Sequence, residues 1–345
     1  MAKKVNCGVI GLGGFGISYC QALKKIKNAE LICVSTRREN VAKKMGEEFG
    51  ADSYTDYNDM LKRADLDAVF IATPNFIHAE QTIASLEAGK HVLCTKPIAT
   101  TLRDADDMIK TARRTGLKLE IGYNRRFDQP IVKTKELVDS KKIGEIFYAK
   151  ASPMEIRPSP GLNIPGRPPY EEYWKWIGKR FESGGGCLLT QHSHELDYMQ
   201  WFFGAVDWVL GRTENCFHPI EVEDVASAII KFKNGILLSF NSSTATLSSL
   251  SPVYELFGKE GVISASAGNE ELKICDRTGK WELVMQGTTD WLDQQVMELS
   301  KFINCIIEDK EPFIPAEESR KALEIVLGVY RSSELGRLIK FPLTN

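Results

Sequence analysis

The stretch Val5-Asn6-Cys7-Gly8-Val9-Ile10-Gly11-Leu12-Gly13-Gly14-Phe15-Gly16 decides the fold. An apolar run meets a glycine cluster, and a helical pattern begins at Ile17. Gly11, Gly13 and Gly16 satisfy G-x-G-x-x-G. The first glycine permits a tight turn out of a strand. The second lets a pyrophosphate approach the backbone, and the third lets the new helix pack closely on the strand. Unpaired N–H groups at the helix start then face the phosphates. The motif alone is weak, but here a strand pattern precedes it and a helix pattern follows. A dinucleotide site around Gly11, Gly13, Gly14, Phe15 and Gly16 is the expectation.

Working outward, strand and helix signals alternate. The pattern predicts a helix over Ile17–Lys27, a strand over Leu31–Ser35 and a helix over Glu39–Phe49 with Gly50 closing it. Strands follow at Asp67–Thr73, His91–Thr95 and Lys118–Tyr123, with helices at His78–Ala88 and from Thr101 to Arg114 between them. Such alternation predicts a parallel, doubly wound sheet with its ligand at the carboxyl ends of the strands. After Asn124 the rhythm changes. A helix over Ile131–Ser140 and a strand over Ile146–Ala151 precede Ser152–Gly186, which reads as a long binding loop or lid. A helix over Leu188–Phe203 follows. Strand signals at Val206–Arg212, Val225–Phe232, Ile236–Ser243, Val253–Gly258, Val262–Ser266, Leu272–Cys275 and Trp281–Met285 predict an open, mostly antiparallel sheet. Asn234-Gly235 marks a hairpin within it. Helices over Asp290–Glu308 and Glu317–Leu335 close the chain. The fold class expected is therefore α/β plus α+β. A Rossmann domain spans residues 1–124. A substrate and oligomerisation domain spans residues 125–345, its C-terminal helix a candidate to pack back on the Rossmann domain.

A length of 345 residues agrees with about two domains. The net charge of −2 gives no basic footprint for nucleic acid. No apolar stretch is long enough to span a bilayer. Lys3 and Lys4 precede an apolar run, but the glycines interrupt it and argue against a signal peptide. Eight scattered cysteines without a C-x-x-C pair fit a reduced, cytoplasmic protein.

Two further constellations carry chemistry. Lys96, in Thr95-Lys96-Pro97, lies at the carboxyl end of a Rossmann strand, where its ammonium can polarise a substrate oxygen. Taken alone, the position reads more readily as a surface lysine before a turn. A cis bond at Lys96–Pro97 is the expected means of aiming the side chain into the crevice. The second constellation follows Gly184-Gly185-Gly186. On one helix, Thr190, Gln191, His194, Asp197 and Tyr198 share a face beside the apolar Leu189, Leu196 and Phe203. His194 there exchanges a proton or is a buried structural histidine. His192 and His194 are two apart and diverge on a helix, so no metal site is expected.

Together the motifs G-L-G-G-F-G, A-T-P-N-x-x-H at 72–78, T-K-P-I-A at 95–99, G-Y-N-R-R-F at 122–127 and G-G-G…H-x-x-D at 184–197 resemble the glucose-fructose oxidoreductase / inositol dehydrogenase (Gfo/Idh/MocA) family. The likeness covers nearly the whole chain. It implies a Rossmann domain joined to an open-sheet domain, and hydride transfer between a hydroxyl and a ketone on a sugar, sugar derivative or cyclitol. It places the family's lysine on Lys96 and its histidine on His194, and it reverses the blander reading of both. The motifs assign Thr73, Pro74, Asn75, His78, Lys96, Pro97 and Asn124 to the cofactor. Arg125, Arg126, Arg157, Trp176, Thr190, Gln191 and Asp197 are assigned to the substrate. Tyr170, Tyr173, Trp174 and Trp176 are candidates for an aromatic wall against a sugar face, or for packing of their own loop. Two departures stand out: the glutamate before the lysine is Thr95, and the carboxylate one turn before the histidine is Thr190.

The turn after the second strand bears on cofactor choice. Thr36 stands where an acid would bind the ribose 2′-hydroxyl of NAD, and Arg37 and Arg38 follow. That composition favours NADP, with NAD possible. An open sheet with one uncovered face points to a homodimer or homotetramer. Two alternatives stand beside the dehydrogenase: a redox-assisted glycosidase or lyase with tightly bound cofactor, and a dinucleotide-binding sensor without chemistry.

Overall fold

The computed structural model describes residues 4–160, 164, 168–246, 253–266 and 271–343. Lys3 and six residues of the Ser152–Gly186 stretch lie outside them. The chain forms two compact units. The first comprises residues 1–124 and 290–320, the second residues 125–289 and 321–345.

The first unit begins with β1 (Val5–Ile10), α1 (Gly14–Lys25), β2 (Ala29–Ser35), α2 (Glu39–Phe49), β3 (Asp52–Tyr54) and α3 (Tyr57–Leu61). It continues with β4 (Ala68–Ile71), α4 (His78–Glu87), β5 (His91–Thr95), α5 (Leu102–Thr115) and β6 (Leu119–Gly122). All pairings are parallel, in the order β3-β2-β1-β4-β5-β6. That is the doubly wound order, whose direction reverses beside β1 and opens a crevice at the strands' carboxyl ends. The helix boundaries follow from local chemistry. Gly50 and Gly116 close α2 and α5 in the left-handed region, at φ +65° and +70°. Thr101 Oγ1 accepts from the Asp104 backbone N–H at 3.1 Å and so caps α5. Two elements are additions to the sequence reading: β3, three residues at the sheet edge, and α3, capped by Asp56 on the Asn58 N–H.

The second unit holds α6 (Gln129–Asp139), β7 (Ile146–Ala151), α7 (Tyr170–Ile177), α8 (Arg180–Ser183), α9 (Ser193–Phe203), β8 (Val206–Glu214), β9 (Val225–Phe232) and β10 (Leu237–Ser243). It also holds β11 (Tyr254–Gly258), β12 (Gly261–Ala265), β13 (Glu271–Asp276) and β14 (Trp281–Gln286). Helix α10 (Trp291–Glu308) belongs to the first unit, α11 (Ala316–Leu335) crosses the division, and β15 (Ile339–Lys340) ends in the second. The second sheet has nine strands, ordered β14-β13-β12-β11-β7-β10-β9-β8-β15. Among the described residues β7 and β10 pair in parallel, so the sheet is mixed rather than wholly antiparallel. The Asn234-Gly235 turn joins β9 and β10, with Gly235 at φ +95°. The Asn234 side chain donates to the Phe203 carbonyl at 2.9 Å and ties this hairpin to the end of α9.

Two expectations are corrected here. The stretch 152–186 is not all loop. Pro169 and the acidic first turn Glu171-Glu172 start α7, and Trp174 donates its indole N–H to the Pro158 carbonyl at 2.7 Å. The helix over Leu188–Phe203 is broken: residues Cys187–Gln191 form a π turn, and α9 starts afresh at Ser193. No helix among the described residues is long and apolar enough to cross a membrane.

Candidate active site

In the first unit, the glycine turn meets the requirements of a bound anion. A side chain on Gly16 would collide with the Gly11 carbonyl at 1.7 Å, so the helix packs as closely as its sequence allows. A Cβ on Gly13 or Gly14 would meet nothing within 4 Å, which leaves the backbone bare toward open space. Helix α1 has no side-chain cap and no acid in its first turn. Its first N–H groups therefore suit a pyrophosphate. Arg38 Nη2 donates to the Leu12 carbonyl at 2.9 Å and anchors its guanidinium beside this turn. Arg37 is exposed and Thr36 partly so.

Lys96 is partly buried, between the buried Thr95 and Pro97, at the carboxyl end of β5. The Lys96–Pro97 peptide is cis. Behind it stands His78, the first residue of α4, with no exposed surface. Its Nδ1 lies 2.8 Å from the Pro97 carbonyl and its Nε2 2.8 Å from the Thr73 carbonyl. Thr95 Oγ1 lies 3.4 Å from the same Nε2. A neutral imidazole donates from one nitrogen only, so in that state the ring donates to one of the two carbonyls. Burial lowers the His78 pKa, the two carbonyls oppose that, and the Lys96 charge adds to the lowering. The sequence reading assigns His78 and Asn124 to the cofactor. Both are 0% exposed, and Asn124 donates to Gln294 at 3.1 Å. Thr73 and Pro74 are partly exposed at the end of β4, and Asn75 is buried beside them.

In the second unit, His194 lies on the first turn of α9 and is 5% exposed. The π turn before it is held from a distance. Glu223 accepts from the Gly186 N–H at 2.8 Å and the Leu188 N–H at 3.0 Å, and the Tyr330 hydroxyl donates to it at 2.8 Å. Burial pushes the Glu223 pKa up, against those three hydrogen bonds. Gly186 cannot carry a side chain, since its Cβ would fall 1.8 Å from the Glu223 carbonyl. Thr190 Oγ1 donates to the Gly186 carbonyl at 2.7 Å, and His192 Nδ1 lies 2.6 Å from Ser242 Oγ. The π turn moves Thr190 and Gln191 off the regular helical face that the sequence pattern gave them.

Arg126 and Asp197, both expected at the substrate, are each 1% exposed and bind one another. Nε and Nη2 reach the two carboxylate oxygens at 2.7 and 2.8 Å. This bidentate pair ties α9 to the segment before α6. Arg125 is the more accessible arginine, 3.6 Å from Glu195 and 3.8 Å from Glu155. Arg157 pairs with Glu155 and donates to Gln191 Oε1 at 2.6 Å. Trp176, on α7, is partly buried. The sequence reading missed Glu155, Glu195 and Glu223. Glu195 reaches Arg125, and Glu223 its backbone amides, only through long-range folding, while Glu155 lies two residues from Arg157 and meets Arg125 from afar. Among the described residues no group of three or more histidine, cysteine or acidic side chains is arranged to hold a metal.

Comparison with known proteins adds the following. The model of an oxidoreductase family with an NAD-binding Rossmann fold matches residues 5–123, and that of the GFO/IDH/MocA C-terminal domain matches residues 131–264. Myo-inositol 2-dehydrogenase of Thermotoga maritima is 26% identical, over 97% of this chain and 98% of its own length. A 2,7-anhydro-N-acetylneuraminate hydratase of Mediterraneibacter gnavus is 30% identical, over 59% of this chain and 50% of its own length. Among solved structures, levoglucosan dehydrogenase in complex with NADH and levoglucosan matches with a TM-score of 0.88 and 20% identity. That match covers 99% of this chain and 100% of the other, and it is a likeness of fold.

Proposed function

The chain belongs to the GFO/IDH/MocA family of NAD-binding oxidoreductases, and on that premise we propose that it interconverts a hydroxyl and a ketone on a sugar, sugar derivative or cyclitol. The observation that carries the reading is Lys96, partly exposed at the carboxyl end of β5, on the same sheet edge as the open glycine turn. A bound nicotinamide supplies or accepts the hydride. Gly13, Gly14 and the first amides of α1 hold its pyrophosphate. Lys96 polarises the reacting oxygen, and His194 takes or returns the proton. Arg125, Arg157, Gln191, Thr190 and Trp176 contact the substrate, while the Arg126–Asp197 pair holds the helix that carries His194. The inositol dehydrogenase relative supports a polyol or cyclitol substrate. Thr36, Arg37 and Arg38 support a preference for NADP(H) over NAD(H). A row of apolar side chains on the outer face of the second sheet supports a homodimer or homotetramer.

A panel of polyols, sugars and keto-sugars, read by nicotinamide absorbance with each cofactor, tests the proposal. Turnover of none of them refutes it. The hydratase relative supports a second reading, elimination assisted by transient oxidation. Substrate conversion without net change in nicotinamide absorbance distinguishes that reading.

A further inference from the structure

We propose that His78 is the positioning residue for Lys96, an inference that rests on Lys96 being the group that polarises the reacting oxygen. Its imidazole joins two strand ends. One nitrogen faces the Thr73 carbonyl, just past β4, and the other faces the Pro97 carbonyl, just past Lys96, each at 2.8 Å. The ring is fully buried and begins α4, so packing fixes it as well as the polar contacts at its two nitrogens. The proline ring sets φ at Pro97, and the preceding peptide is planar. The Pro97 carbonyl carbon and the Lys96 Cα therefore move nearly as one body. A hydrogen bond to the Pro97 carbonyl thus fixes the root of the lysine side chain. The other end of the ring refers that root to β4 and, through Thr73 Oγ1 donating to Gln81 at 2.7 Å, to α4 again. Thr95, on the other side of Lys96, completes the contact at 3.4 Å. The side chain touches no ligand itself. Its role is to hold the ammonium root to the sub-ångström tolerance that a reacting geometry demands.

Three substitutions separate this role from simple filling of the core. In His78→Asn the amide nitrogen stands near the place of Nδ1 and keeps the bond to Pro97. His78→Gln places it near Nε2 and leaves a donor facing Thr73 alone, while His78→Phe keeps the ring and has no donor. Positioning of Lys96 requires kcat near the parent value in the Asn variant. The Gln and Phe variants lose about 10²-fold in kcat, with KM and cofactor affinity little changed. A Phe variant that retains its kcat overturns the proposal. So does a loss that is equal in Asn and Gln, or that follows melting temperature across the three. If the Phe variant does not fold, the Asn and Gln pair decides alone. A second readout needs no turnover: the labelling rate of Lys96 by an amine reagent, followed by mass spectrometry. It should match the parent in Asn and change severalfold in Gln, and identical rates in the two overturn the proposal. If the parent protein turns over no substrate, the functional reading fails while the labelling order still judges His78.

Discussion

The two sheets of this molecule bury their strands in different ways. In the first unit, β4 and β6 are buried at every position, because helices cover both faces of a parallel sheet. In the second, β9 alternates: Ala226, Ala228, Ile230 and Phe232 are buried, while Ser227 and Ile229 are exposed. Yet the outer face of that sheet is not polar throughout. Cross-strand register lines up Leu237, Tyr148, Phe257 and Val262, all partly exposed, with the rings of Tyr148 and Phe257 5.5 Å apart. Leu210 pairs with Ile229 beside them, each 43% exposed. A strand that reads as one continuous apolar run has its surroundings supplied by its own chain. A strand that alternates but keeps leucine and isoleucine on its outer side leaves apolar surface exposed.

The largest test of this contrast is chemical. The first sheet's closed core exists to hold a few atoms at its carboxyl edge. Lys96→Met should therefore cost about 10²–10⁴-fold in kcat, the range for a positioned proton-handling group. Cofactor titration and the thermal melt should stay as in the parent, and retention of most turnover would remove Lys96 from the mechanism. The next test probes the second sheet directly. Phe240→Ala, on the buried face, should destabilise by about 3–5 kcal/mol in denaturant titration. Ile229→Ala, on the outer face, should stay within about 0.5 kcal/mol in a dilute monomer. An equal loss at both sites would mean that the outer face is covered in solution, and sedimentation at several concentrations would then reveal the partner copy.

A third test returns to the carboxyl edge of the first sheet. Arg37→Ala with Arg38→Ala should weaken NADP(H) by about 1.5–3 kcal/mol, the worth of hydrogen bonds to a charged group, and leave NAD(H) nearly unchanged. Equal loss of both cofactors would assign Arg38 to the glycine turn alone. The smallest expected effect concerns pH. Burial raises the Glu298 pKa well above its ordinary 4.5, Glu120 adds to that, and the Tyr19 hydrogen bond opposes it. The folded state holds this proton more tightly than the unfolded one. Its contribution is therefore full below about pH 4.5 and is lost as pH rises toward the folded value. Glu298→Gln should flatten that decline, which denaturant midpoints from acid to mildly alkaline pH would show.

Much of this architecture was legible from residue patterns. Glu39–Phe49, His91–Thr95, Ile146–Ala151 and Val225–Phe232 are elements whose periodicity sets their extent, with a glycine close to one end of each. The broken helix and the mixed sheet share one cause. The π turn at Cys187–Gln191 is shaped by Glu223, whose carboxylate arrives from 35 and 37 residues away, and no local signal announces it. The parallel pairing of β7 with β10 joins strands far apart in sequence. At the candidate site, the glycines, Lys96 and His194 stood out by motif. That Arg126 and Asp197 are spent on each other, and that His78 faces two carbonyls, depends on side-chain directions that a one-dimensional pattern does not carry.

The first unit is also discontinuous in sequence. Helix α10 lies on α1 and β1, and its Leu299, Phe302 and Ile303 are fully buried among residues from the first hundred positions. Phe302 meets Phe70 edge-on at 5.9 Å, and Trp291 meets Phe15 at 5.1 Å. During synthesis, the amino-terminal sheet therefore waits through the whole of the second unit's nine-stranded sheet, apart from β15, before its own core can close. Domains whose contacts span such separations fold slowly and expose apolar surface meanwhile. A ribosome-bound chain stopped before Trp291 would carry a Rossmann sheet with one patch of its core still open to water.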